Sequence, residues 1–133
     1  MVIGVPTPGH RPSVFVIDDD DDVRAFMRTR LEANNFSVDE ADSGEEALRR
    51  VDDSIDLVIV DLGLPGIDGF ATMRALRADA RTAHIAIVAV TAQAMAGDAE
   101  RAIATGFDEY LTKPIDTRAL VPRLTSLLSR LRR

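Results

Sequence analysis

Short apolar runs that stop abruptly at a polar residue recur along this 133-residue chain, and they restrict its fold more than any other feature. Val14-Phe-Val-Ile17 runs into Asp18-Asp19, Leu57-Val-Ile-Val60 into Asp61, Ile85–Val90 into Thr91, and a last short run into Lys113-Pro114. Apolar runs of this length without polar alternation suit strands buried on both faces, as in a parallel sheet covered by helices. The segments between them have helical character. Asp22 is placed to cap a helix carrying Val23, Phe26, Met27, Arg30 and Leu31, with Asn34-Asn35 at its end. Phe36–Ala41 reads as a second strand, and Ser43 as the cap of a helix over Glu45–Val51. Ile55–Val60 is the third strand, followed by a helix from Phe70 to Arg77. Ile85–Val90 is the fourth strand, and Asp98–Thr105 is a helix closed by Gly106. Phe107–Thr112 is the fifth strand. Asp116 or Thr117 opens a final helix whose Leu120, Leu124, Leu127, Leu128 and Leu131 share one face. Residues 1–12, with Gly4, Pro6, Pro8, Gly9 and Pro12, read as a loose tail before a domain spanning 13–133.

Strands alternating with helices imply right-handed βαβ crossovers and an open parallel sheet. Ligands of such sheets bind beyond the C-terminal ends of the strands. Asp18, Asp19, Asp61, Thr91 and Lys113 all fall at those ends. Three acids, a hydroxyl and an ammonium so placed form a constellation for handling a phosphoryl group and a divalent cation. Taken singly, each has a plainer reading: Asp61 as a strand-ending turn residue, Asp18–Asp22 as a solvated acidic loop, Lys113 as a surface lysine. Asp20 and Asp21 are assigned to that loop, and His84 to the surface.

Composition narrows the function. The length suits a single core. A net charge of −6 argues against general nucleic-acid binding, because phosphate backbones reward Lys and Arg. The absence of cysteine excludes disulfides and thiolate zinc sites and suits a reducing cytosol. The longest apolar stretch, Ile85–Ala92, is too short to span a membrane, and the N-terminus lacks the pattern of a secretory signal.

Val14-Phe-Val-Ile-Asp-Asp-Asp20, Asp61-Leu-Gly-Leu-Pro-Gly-Ile-Asp-Gly69, Val88-Ala-Val-Thr-Ala92 and Tyr110-Leu-Thr-Lys-Pro114 occur in this order and register. Together they resemble the receiver domain of two-component response regulators, over Ser13 to Leu131. The resemblance implies an α/β, doubly wound, flavodoxin-like (βα)5 fold with strand order 2-1-3-4-5. It implies that Asp61 accepts a phosphoryl group from a sensor histidine kinase or a histidine phosphotransfer protein. Asp19 would bind magnesium (or manganese in its place) directly, Asp18 directly or through water, and the Gly63 backbone carbonyl and Asp61 would complete the protein ligands. Thr91 and Lys113 would contact phosphoryl oxygens, Tyr110 would be the aromatic switch residue, and Lys113-Pro114 a cis peptide. The face formed by the fourth helix, fifth strand and fifth helix would meet a downstream protein target. By the same resemblance the chain is a cytoplasmic signalling domain rather than an enzyme, catalysing only its own phosphorylation and dephosphorylation, without direct contact to nucleic acid.

The chemistry agrees. A carboxylate is a weak nucleophile that repels an incoming phosphoryl group, and three neighbouring acids repel one another until a dication sits between them. The Lys113 ammonium then offsets charge on the phosphoryl oxygens. Two other readings differ in class: a pseudo-receiver that only binds partners, and an aspartyl-nucleophile phosphatase of the haloacid-dehalogenase type. The second expects an acid two residues after the nucleophile, where Gly63 stands. Gly63 leaves the phosphoryl group less shielded than a larger side chain would, and Gln93 stands near the site entrance. Pro122 predicts a bend or a later start for the last helix, since it removes a backbone donor at a cost of about 3 kcal/mol. Arg130, Arg132 and Arg133 suit a helix C-terminus or a linker. The starting Met1 favours a stand-alone receiver over a fragment, and Ala92 to Glu109 leans toward relay and hybrid-kinase receivers.

Overall fold

The computed structural model describes residues 11–92 and 95–131. Most of the predicted tail, Gln93, Arg132 and Arg133 lie outside them. The elements are β1 (Ser13–Ile17), α1 (Asp21–Glu32), β2 (Ser37–Ala41), α2 (Gly44–Arg50), β3 (Leu57–Asp61), α3 (Gly69–Ala78), β4 (Ala86–Thr91), α4 (Asp98–Thr105), β5 (Glu109–Thr112) and α5 (Thr117–Leu131). All strands are parallel, in the order β2-β1-β3-β4-β5.

The apolar runs place side chains on alternate faces of the sheet, and each face has its own core. Val14, Val16, Leu57, Ile59, Val88 and Val90 pack with Met27 and Leu31 of α1 and with Leu120, Leu124 and Leu127 of α5. Phe15, Ile17, Val58, Val60, Ile87 and Ala89 pack with Ala47 of α2, Met73 and Leu76 of α3, and Ala102 of α4. Burial on both faces leaves the strand tips as the places in these strands where a polar side chain reaches solvent.

The strand ends differ from expectation in an informative way. β3 and β4 each run one residue further, because Asp61 pairs opposite Val90 and Thr91 opposite Thr112. These two polar side chains therefore belong to the rigid sheet rather than to the loops. β5 begins late, at Glu109, because Phe107 is drawn in to close α4, its N–H donating to the Ala102 carbonyl at 3.1 Å.

Caps account for most helix boundaries. Asp20, not Asp22, caps α1: its Oδ1 accepts from the N–H groups of Asp22 (2.8 Å) and Val23 (3.3 Å). In a run of five aspartates residue type does not single out the cap; the backbone does, leaving the extended conformation only after Asp20. After α1, Asn35 adopts the left-handed conformation (φ 71°) that a helix exit requires. Ser43 caps α2 as expected, its Oγ accepting from the Glu46 N–H at 3.1 Å. Asp68 caps α3 through the Ala71 N–H at 2.8 Å. Helix α5 starts at Thr117 and continues through Pro122, so the later start does not occur. Pro122 faces solvent, where water can serve the backbone carbonyl that its ring leaves without a donor. Leu131, expected on the buried stripe, is 48% exposed because it lies at the helix end. The Lys113-Pro114 peptide is cis, as the resemblance implied.

Candidate functional site

Four elements deliver the polar side chains to one place. Asp18 follows directly on β1, its N–H still in the ladder with the Ala41 carbonyl of β2 at 3.2 Å. Asp61 is the last residue of β3, and the Leu62 N–H donates to the Val90 carbonyl at 2.8 Å. Lys113 leaves β5 with its N–H bonded to the Thr91 carbonyl at 2.8 Å. The Asp61 turn is tight. Gly63 N–H donates to Asp61 Oδ1 at 3.1 Å, the local carboxylate-to-backbone bond typical of turns. Gly66 takes a positive φ of 74°, and Glu45 reaches over from α2 to accept from the Ile67 N–H at 3.2 Å. At Gly69 a Cβ would stand 2.5 Å from the Asp61 carbonyl oxygen, so only glycine lets α3 begin this close to the acid.

The resulting cluster holds Asp18, Asp19 and Asp61, with one carboxylate oxygen from each within 4.8 Å of the others. Asp18 and Asp61 are buried (3% and 8% exposed), whereas Asp19 is open to solvent. Lys113 Nζ lies 2.9 Å from Asp18 Oδ2 and 3.4 Å from Asp61 Oδ2. Asp18 Oδ1 accepts from the Asp20 N–H at 2.9 Å. Burial pushes the Asp18 carboxyl above its ordinary pKa; Lys113 and the Asp20 N–H pull it back, and the charge of Asp61 adds to the rise. At Lys113 burial works against the charge, but Asp18 and Asp61 outweigh it and hold the ammonium above its ordinary value. One ammonium thus serves two carboxylates while a third stands nearby. The donor set is all hard oxygen, which fits a small dication such as magnesium.

Gly63, Thr91 and Tyr110 line a cavity of about 370 Å³ beside Asp61, together with Leu62, Phe70, Asp98 and Arg101. Among the described residues, a Cβ at Gly63 would meet only Asp61 Oδ1, at 3.8 Å, so none of them crowds this side of the acid. The Tyr110 hydroxyl is buried and has no hydrogen-bond partner among the described residues. Burial, with the negative charge of Asp98, holds this phenol above its ordinary pKa. His84 lies at the opposite end of the sheet, beside Arg77 and Asp108. Sequence reasoning missed the supporting residues Glu45 and Arg24, which act across distant elements.

The model of the response regulator receiver domain matches residues 14–125. The chain belongs to this family. It is 35% identical over 120 residues to the phosphate regulon transcriptional regulatory protein PhoB of Rhizobium meliloti (strain 1021), covering 90% of this chain and 53% of that protein. The chain therefore spans about half the length of that relative. Among solved structures, it resembles a sensor protein from Polaromonas sp. JS666 (33% identity, TM-score 0.82, covering 92% of this chain and 99% of that one). It also resembles the receiver domain of the sensor histidine kinase PA1611 from Pseudomonas aeruginosa PAO1, solved with a magnesium ion coordinated in its active-site cleft (25% identity, TM-score 0.79, 90% and 98% covered). The fold is CheY-like, and the acidic cluster occupies the strand ends where a sheet of this order binds ligands. No helix among the described residues is long and apolar enough to cross a membrane.

Proposed function

We propose that residues 13–133 form a working receiver in which Asp61 accepts a phosphoryl group from a phosphohistidine of a sensor histidine kinase or phosphotransfer protein. The observation that carries this reading is the shared Lys113 ammonium bridging the buried carboxylates of Asp18 and Asp61, with Asp19 beside them. Asp18, Asp19, Asp61 and the Gly63 carbonyl would hold a magnesium ion, which when bound neutralises charge between the acids and the phosphoryl oxygens.

In the transfer step a carboxylate oxygen of Asp61 bonds to phosphorus as the P–N bond of the donor breaks. The imidazole leaves with the electron pair, and the product at Asp61 is an acyl phosphate. Lys113 and Thr91 take hydrogen-bonding positions on the phosphoryl oxygens, so the protein contributes positioning and electrostatics. Water later attacks phosphorus and releases inorganic phosphate, regenerating the Asp61 carboxylate. Gly63 carries no side chain to shield the acid from that water, and the hydrolysis makes the domain a timer. The chain is thus a cytoplasmic signalling domain whose catalysis is confined to itself.

The phosphate adds charge and acceptor oxygens beside Thr91. Drawing Thr91 toward it alters the cavity shared with Tyr110 and changes the α4-β5-α5 face offered to a downstream protein. Intact-protein mass after incubation with magnesium and acetyl phosphate tests the core of this reading. A single phosphoryl adduct is expected in the wild type and none in Asp61→Asn; an adduct that survives that substitution, or absence of magnesium binding altogether, overturns it.

A further inference from the structure

The acids at the strand tips are aimed by their backbone as well as by Lys113, and one side chain from outside the cluster reaches that backbone. Arg24, near the start of α1, has a side chain only 12% exposed. Its Nη1 donates to the main-chain carbonyl of Asp18 at 2.6 Å, its Nε to Glu40 Oε1 at 2.9 Å, and its Nη2 to Asp21. Glu40 stands on β2, and its second oxygen accepts from Arg28 Nε at 2.8 Å. These two arginines hold the Glu40 carboxyl below its ordinary pKa, Arg28 more strongly, against the effect of burial.

The guanidinium is planar and its donors form a rigid fork, so anchoring Nε on Glu40 sets the direction of Nη1. The peptide between Asp18 and Asp19 is planar too. Pinning its carbonyl fixes the plane from which Asp19 departs, and Asp19, being exposed, has little packing to aim its carboxylate. We infer that Arg24, anchored by Glu40, is a positioning residue for the cation site: it locks the Asp18–Asp19 peptide so that both carboxylates face Asp61. The inference rests on the proposed reading that a dication binds these acids.

Arg28 supplies an internal control. It binds the same Glu40 and the Val38 carbonyl at 3.0 Å, but its contacts lie on α1 and β2, away from the acidic loop. Magnesium titration by calorimetry on the full chain, with thermal melts in the absence of the ion, separates positioning from packing. Arg24→Met keeps the apolar stem and removes the donors. It is expected to weaken magnesium binding about tenfold, in the range found for residues that orient metal ligands. Arg28→Met is expected to stay within about twofold of wild type while lowering the metal-free melting temperature comparably. Arg24→Lys, which keeps the charge but not the fork, is expected to fall between, and it carries the test if Arg24→Met gives no cooperative melt. Wild-type affinity in a folded Arg24 variant, or equal weakening by Arg28→Met, overturns the inference alone. A wild-type chain that binds no magnesium overturns the proposed function and the inference with it.

Discussion

The two ends of the sheet each hold a cation facing carboxylate and carbonyl oxygens, and they differ in how fully those groups are satisfied. At the N-terminal end, Arg77 of α3 donates to the carbonyls of Ala83 (2.9 Å), Ile85 (2.5 Å) and Gly106 (2.9 Å) and to Asp108 Oδ2 (2.8 Å). That same carboxylate oxygen accepts from the Ile87 N–H at 2.9 Å, tying β4, β5 and α3 together. At the C-terminal end, Lys113 is divided between Asp18 and Asp61, and Asp19 adds a third negative charge within 4.8 Å. The first arrangement has a surplus of donors on one acid; the second has a deficit of positive charge over three. A satisfied network stabilises the fold, and an unsatisfied one is available for chemistry.

This contrast can be broken at either end. Lys113→Ala is expected to slow adduct formation from acetyl phosphate by roughly a hundredfold, as removal of an electrostatic donor at a reacting oxyanion does. Quenched mass-spectrometric time courses check it, and an unchanged rate would remove Lys113 from the proposed chemistry. Arg77→Met should do the opposite, costing about 2 kcal/mol in urea melts because it leaves part-buried acceptors without a donor, while magnesium affinity stays at the wild-type value.

Glu40 is an intermediate case, a satisfied acid on the flank of the site. Its folded pKa is lowered, so its contribution to stability is present above the unfolded value of 4.5 and lost as pH falls through the folded one. Glu40→Gln should therefore cost about 1 kcal/mol at neutral pH, and the gap from wild type should narrow as pH falls below 4.5 through the folded value. A gap independent of pH would mean that shape, not charge, matters there. The smallest effect expected is a gain. Asp18→Asn relieves a buried charge beside Asp61, so without magnesium its melting temperature should rise by a few degrees, and a fall would show that the Lys113–Asp18 pair outweighs the repulsion.

Much of this site was readable from residue order. Asp61, Thr91 and Lys113 each end an apolar run, and a parallel sheet carries such ends to one edge. What could not be read was how the residues are held. Which of five successive aspartates caps α1 depends on where the chain turns, not on residue type. The bond from Glu45 to the Ile67 N–H spans 22 positions, and that from Arg24 to Glu40 spans 16. Both bonds join residues of different elements, so the periodicity within any one helix or strand carries no trace of them.

The sequence by itself determined the order of strands and helices, the two-faced burial of the sheet and the chemical types at its tips. These follow from local hydrophobic pattern and from the handedness of βαβ crossovers. Only the tertiary structure decided that Lys113 divides itself between two acids, that Arg24 grips the backbone of Asp18, and that the Tyr110 hydroxyl is buried beside Asp98 without a partner among the described residues. Those outcomes depend on distances of a few ångströms between elements far apart in the chain, which are set when the helices settle against the sheet.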